Sequence, residues 1–320
     1  MSAAKEKNIF KNKITVCLLA LVCCLLWGSA FPCIKIGYNL FDIAQSDTSA
    51  QILFAGVRFF LAGILTIIIG SIGARTLLVP KRTSWGMIAK LCVAQTVAQY
   101  FFFYIGLANT TSVKSSIIKG TGTFISILIA CFIFRQEKFT LPKFIGCVLG
   151  FGGILIINLP RGGVGFDFGL TGEGFILLAN VAGAVSTSMI KNYSQRENPI
   201  TMSGWQFFCG GLVLAAAGLA MGARINTVSV GGILMIVYLA CVSACAYSLW
   251  GLLLKHNRLS KIAVYGFMTP VFGVLLSALL TKEESGQAFS PKYLVALILV
   301  CIGIYIVNRF KESKKKENLA

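Results

Sequence analysis

Acidic side chains are scarce in this chain. Its 320 residues include 11 Asp and Glu against 29 Lys and Arg, and none of the acids lies in the middle of an apolar run. Glu137, Glu173, Glu283 and Glu284 all stand at run ends. A carboxylate inside a bilayer is the usual proton carrier and the usual counter-charge for lipophilic cations, so its absence disfavours a proton-coupled exporter of cationic drugs. Histidine is scarcer still, with His256 alone in a basic loop. Without an HExxH motif or paired carboxylates, an intramembrane enzyme lacks its nucleophile with a base or its metal cluster. The chain is therefore read as no enzyme, with no cofactor or metal. Loop cysteine is missing too: all 11 cysteines fall within apolar runs. There they act as small hydrophobes rather than as disulfides or ligands. Long soluble stretches are also lacking, which leaves a receptor or scaffold without its expected partner domain.

What the chain has instead is apolar length. Hydrophobic residues make up 56% and the mean hydropathy is +0.80, far above a soluble domain. Runs long enough to cross about 30 Å of hydrocarbon lie near 14–38, 50–72, 85–107, 110–134, 142–159, 172–191, 200–222, 230–254, 260–281 and 291–308. They are continuous, without the period-two alternation of a membrane barrel. The expected fold is an all-α membrane protein with ten transmembrane helices. The start, "KEKNIFKNKITVCLLALVCCLLWGSA", has the build of a signal peptide. It is read as the first span, because its removal would leave the first half incomplete.

The formal charge of +18 raises the question of nucleic acid, and the placement of the cations answers it. They collect in alternate loops: Lys5 to Lys13, Arg75 to Arg82, Arg135 to Lys143, Lys191 and Arg196, Lys255 to Lys261, and Arg309 to Lys316. Few approach the other face: Lys35, Lys114, Arg161, Arg224, Lys282 and Lys292. The positive-inside rule puts both termini in the cytoplasm of a multi-pass cell membrane protein. No basic patch with interleaved aromatics remains for nucleic acid. The tail "RFKESKKKENLA" is suited to touching anionic lipid headgroups.

The two halves repeat each other. "RFFLAG" (58–63) parallels "QFFCGG" (206–211), and Ile34-Lys35 parallels Ile190-Lys191. Thr123 with Glu137 fourteen residues on parallels Thr269 with Glu283, and Asn158 parallels Asn308. Five helices per half make the second half enter the bilayer from the opposite side, the inverted-repeat plan of secondary transporters. The expected organisation is a tail at 1–13, a first repeat at 14–159, an outer connector at 160–171, a second repeat at 172–309 and a basic tail at 310–320.

Four stretches together carry a family likeness: "LLWGSAFPCIKIG", "FAGVRFFLAG", "AYSLWGLLLKHNRLSKIAVYGFMTPVFGVLLSALLTKEE" and "CVLGFGGILIIN". In combination they resemble the EamA branch of the drug/metabolite transporter superfamily. The resemblance implies a 5+5 inverted repeat with a central cavity lined by helices one to four and six to nine. Helices five and ten would be peripheral, where a homodimer would meet, and small metabolites would be exported. The sequence departs at one point: the family's "TP" stands as Thr269-Pro270 in segment nine, but its counterpart in segment four is Thr123-Phe124.

Segment four carries Lys119. Steps of four and three from Ser112 reach Ser116, Lys119, Thr123 and Ser126, a polar stripe. At 1.5 Å per residue Lys119 lies about 13 Å below Thr110, near mid-bilayer, where a lysine exposed to lipid costs roughly 2.5 to 3.5 kcal/mol. It should face a cavity, and the candidate substrate contact is an anion. Lys114 is shallower and suited to the outer interface. Equal steps from Arg258 reach Tyr265 and Thr269, which places Tyr265 opposite Lys119. Arg58 reads as a structural cation satisfying backbone carbonyls. Gln95, Gln99, Tyr247, Trp250, Trp27, Ser29, Asn180 and Ser186 supply further polar or aromatic positions. The expected substrate-binding set is Lys119, Thr123, Tyr265, Thr269, Tyr247, Trp250 and Gln99. Pro32 and Pro270 are the candidate hinges. The reading is a carrier exporting a small anionic or zwitterionic metabolite, such as an amino acid, by alternating access; a lipid flippase and a multidrug efflux carrier are the alternatives.

Overall fold

The structure is a computed structural model that describes residues 10–158, 169–225 and 227–280, with scattered positions between 291 and 306. Most of the expected connector and of the N-terminal tail, the whole C-terminal tail, Glu283, Glu284 and Asn308 lie outside the described residues, as does the side chain of Lys114. Among the described residues there is no β-strand. Helices α1 (Lys13–Leu40), α2 (Thr48–Ala74), α3 (Arg82–Ala108), α6 (Leu170–Tyr193), α7 (Pro199–Ala220), α8 (Val230–His256) and α9 (Leu259–Leu280) are each long and apolar enough to cross a membrane. Between them lie α4 (Ser112–Leu128) and α5 (Leu141–Asn158), whose described apolar stretches are shorter. The tenth run is represented by isolated helical positions, one of which, Gly303, lies against α5 at Gly146 and Gly150.

Helix starts are written locally. Asn12 Oδ1 accepts from Ile14 N at 2.9 Å, Asp47 Oδ1 from Ala50 N at 2.9 Å, and Ser229 Oγ from Gly232 N at 3.0 Å. Asn198 caps α7, with Pro199 in the first turn, where a missing N–H costs nothing. Two helices depart from α geometry. A π-helical stretch, Cys92–Ala98, widens the middle of α3. In α9 a 3-10 turn, Val264–Phe267, precedes Pro270, whose ring nitrogen cannot donate to Gly266. The matching region of α4 stays α-helical to Leu128 and then takes a π turn, Ile129–Ile133. Pro32 sits inside an unbroken α1.

The closest helix pair is α2 with α7, and glycine makes it possible. A Cβ on Gly63 would fall 2.3 Å from Phe208 N, and one on Gly211 would fall 2.2 Å from Phe60 N. Gly56 likewise meets Ala215, and Gly204 meets Ile67. Small residues allow this backbone approach in a bilayer, where packing rather than the hydrophobic effect joins helices. The partners' numbers run in opposite directions, so α2 and α7 are antiparallel. Each contact also has a twin in which the two helices exchange roles, as a two-fold axis between them requires. The rings obey the same exchange: Phe59 pairs with Phe207 at 5.2 Å and Phe60 with Phe208 at 5.0 Å.

A second pair of twins lies at the helix ends. Lys35 of α1 donates to Thr110 O, just past the end of α3, at 2.8 Å. Lys191 of α6 donates to Leu254 O and Asn257 O, at the end of α8, at 2.7 and 2.5 Å. An ammonium there satisfies carbonyls that the helix itself leaves open and complements the negative end of the dipole. Between these ends α1 crosses two apolar clusters, one around Val16 to Cys24 and one around Ala30 to Phe41. The cavity opens where it passes from one to the other.

Candidate functional site

Trp27, Ala30 and Phe31 of α1 form one wall of a cavity of about 150 Å³. Gln95, Gln99, Tyr100 and Phe103 come from α3, Lys119, Gly122, Thr123 and Ser126 from α4, and Asn180, Gly183, Ala184, Thr187 and Ile190 from α6. Tyr247 and Trp250 from α8 and Ala263, Gly266 and Thr269 from α9 complete it, with Arg58 at its edge. The space lies among helices of both halves. Of the side chains expected from sequence, Lys119, Thr123, Thr269, Tyr247, Trp250 and Gln99 are brought together here.

Tyr265 is not among the lining residues. It is 5% exposed, sits in the apolar cluster with Val264 and Phe267, and its carbonyl accepts from Cys24 Sγ at 3.1 Å. Steps of four assume α geometry, but this part of α9 is a 3-10 turn of three residues per turn. Ala263, Gly266 and Thr269, three apart, therefore face the cavity, and the tyrosine is rotated away. Gly266 has a further role, since a Cβ there would fall 2.6 Å from Thr123 Oγ1.

The polar stripe of α4 divides. Lys119, Thr123 and Ser126 reach the cavity, whereas Ser116 packs on Gly273 of α9, whose added Cβ would be 2.8 Å away. Among the described residues no acceptor receives a hydrogen bond from Lys119; its Nζ stands 5.8 Å from the centre of the Phe103 ring. The second deep cation is held differently. Arg58 is 2% exposed and donates to Tyr104 OH at 2.6 Å, Ser243 Oγ at 3.0 Å and Leu239 O at 3.2 Å. Its guanidinium also lies 5.0 Å from the Phe59 ring. The equivalent place in the second half is held by Gln206, which donates to Gln95 Oε1 and accepts from Thr96 Oγ1, both at 2.8 Å. The described lining contains no carboxylate.

Aromatic rings fill much of the remaining wall. Trp27 meets Tyr247 and Trp250 edge-on at 5.1 and 4.9 Å, and the Tyr100 and Tyr247 hydroxyls are hydrogen-bonded to each other. Gln99 Nε2 stands 3.5 Å from Tyr247 OH. Sequence reasoning gave Asn180 and Trp27 only as polar or aromatic positions and omitted Phe103, Gly122 and Gly183. The signal for the glycines was steric: Cβ atoms at Gly122 and Gly183 would sit 3.0 and 2.8 Å from the amide oxygens of Asn180 and Gln99. Ser29 and Ser186 instead satisfy carbonyls one turn back, Leu26 O and Gly183 O, each at 2.8 Å.

The family model described as the EamA-like transporter family matches residues 14–159 and again 170–309. The chain belongs to the EamA-like transporter family. This EamA-like transporter is 25% identical over 305 residues to an uncharacterized transporter of Synechocystis, covering 90% of this chain and 88% of that one. It is 26% identical over 292 residues to a WAT1-related chloroplastic protein of Arabidopsis thaliana, covering 88% of this chain and 66% of that one. A solved crystal structure matches with a TM-score of 0.70 at 17% identity, over 93% of this chain and 98% of that one, which speaks for a shared fold. Family and relatives together make this EamA-like protein a membrane transporter.

Proposed function

We propose that the chain is a secondary transporter that exports a small anionic or zwitterionic metabolite, such as an amino acid, across the cell membrane by alternating access. The observation that carries this reading is Lys119: a cation on the wall of a mid-bundle cavity, with no hydrogen-bond acceptor among the described residues and no lining carboxylate. A charge so placed in a membrane protein calls for a partner, and an anionic substrate group supplies it. Thr123, Thr269, Gln99, Tyr247 and Trp250 are the neighbouring substrate contacts. Arg58, with three acceptors already engaged, is structural, and Tyr265 is a packing residue.

Cavity size favours a metabolite over the alternatives. About 150 Å³ is below the roughly 300 to 1,000 Å³ of sites for drug-sized ligands, which disfavours the flippase and multidrug readings. Support for alternating access comes from the antiparallel α2 and α7 and from apolar clusters at both ends of the cavity. The twin lysine clasps, Lys35 and Lys191, then serve opposite gates, with Pro32 and Pro270 as hinges. A homodimer would form through the peripheral helices.

The test is solute counterflow in proteoliposomes across amino acids, carboxylates, sugar phosphates and lipophilic cations. Saturable counterflow of an anionic or zwitterionic compound, lost in Lys119→Met and partly kept in Lys119→Arg, is expected. Counterflow of cations alone, unchanged in Lys119→Met, would overturn the assignment.

A further inference from the structure

Asn180 is 1% exposed and lies on the cavity wall. Its amide nitrogen donates to Ile118 O at 2.6 Å and stands 3.1 Å from Thr121 Oγ1, whose own hydroxyl donates to Ile118 O at 2.7 Å. A backbone carbonyl accepts only, so the nitrogen must face Ile118 and the oxygen must face away. That oxygen, Asn180 Oδ1, is buried and has no hydrogen-bond partner among the described residues. It overhangs Gly122, one turn along α4 from Lys119, where an added Cβ would come within 3.0 Å of it. The carbonyl of Gly122 is itself taken by Ser126 Oγ at 2.7 Å. A buried acceptor left open in this way is costly unless a ligand donor completes it.

The complementary orphan is a donor. Trp27 Nε1 is also buried without a partner, on a ring that lines the same cavity. The wall thus carries a cation, a buried unpartnered N–H and a buried unpartnered carbonyl oxygen. Resting on the transporter reading above, we infer that Asn180 is a specificity-determining residue that requires the substrate to carry a protonated nitrogen beside its carboxylate. The ammonium of such a zwitterion donates to Asn180 Oδ1, while Lys119 and Trp27 Nε1 hold the carboxylate. The matching 2-oxo acid has the same anionic end but presents a carbonyl oxygen to Asn180 Oδ1. Two acceptors then face each other with no proton between them. Sites built for a donor reject analogues that lack it far more strongly than they reject changes of size.

The experiment compares L-amino acids with the 2-oxo acids of identical side chain as competitors of counterflow in proteoliposomes, in the wild type, Asn180→Leu and Gly122→Ala. Gly122→Ala leaves Asn180 in place and drives a Cβ against its oxygen, so it reports independently should Asn180→Leu fail to fold. A preference of at least about tenfold for amino acids is expected in the wild type, in line with a hydrogen bond to a charged group. Both variants should reduce that ratio toward one, through loss on the amino acid side. Equal competition by the two series in the wild type, or a preference that survives both variants, overturns the role of Asn180 and leaves the anion-transport reading intact. Competition by neither series overturns the anion-transport reading itself.

Discussion

Arg58 and Lys119 are the same kind of charge at similar risk in a bilayer, yet their surroundings assign them different work. Arg58 has a planar fork of donors, and Tyr104, Ser243 and Leu239 supply acceptors from two other helices. Lys119 has a single ammonium and an aromatic face. Arg58→Leu leaves those acceptors without a donor and is expected to cost about 2 to 4 kcal/mol. The loss should appear as a lowered thermal unfolding midpoint in detergent; an unchanged midpoint would show the contacts to be dispensable. Lys119→Met should retain or raise that midpoint, because it removes an unpaired cation from a low-dielectric site. At this scale the sequence was informative about which residues are exceptional, since a charge within an apolar run is visible without coordinates. It did not show that Arg58 is bonded and Lys119 open, because the partners lie up to 185 positions away in the chain.

The helices show a similar division. Runs of apolar residues placed the described spans to within a few residues of their observed ends. Register inside a span was less legible. The 3-10 turn of α9 turned Tyr265 out of the cavity and Gly266 into it, and the π stretch of α3 carries Gln95 on its wall. The repeated "FF" and glycine motifs of α2 and α7 were visible as a likeness, and their purpose appears in the packing. Gly63→Ala and Gly211→Ala each drive a Cβ into backbone and should cost about 1 to 3 kcal/mol. Since the two sites are twins on one interface, the double variant should depart from additivity, which thermal unfolding of the four proteins will measure. Gly73→Ala, where an added Cβ meets nothing within 4 Å, is the control expected to be neutral.

At the scale of the whole molecule, carboxylate latches join parts distant in sequence. Glu137 accepts from Ser260 Oγ and Ser260 N at the start of α9 and pairs with Lys143 Nζ at 2.9 Å. Glu197 accepts from Ser84 Oγ at 2.6 Å and Lys81 N at 3.2 Å. Burial pushes each carboxyl up, but the hydrogen bonds outweigh it and hold both below the ordinary glutamate range. A depressed folded value means stability that is complete above the unfolded glutamate pKa, near 4.3, and is lost as the pH falls through the folded value. Thermal unfolding midpoints should therefore be flat from pH 7 to about 5 and fall below it, with a weaker fall in Glu137→Gln. On the same scale, reporter fusions at either end are expected to mark the cytoplasm, and activity of a periplasmic reporter at one end would break the positive-inside assignment. The sequence by itself determined a helical membrane bundle, its repeated halves and a cation within an apolar run, because hydropathy, spacing and charge are local or additive properties. Only the tertiary structure decided which polar groups of the cavity wall lack a hydrogen-bond partner among the described residues: Lys119, Trp27 Nε1 and Asn180 Oδ1. A hydrogen bond is satisfied or left unmade by whatever the other helices bring within about 3 Å.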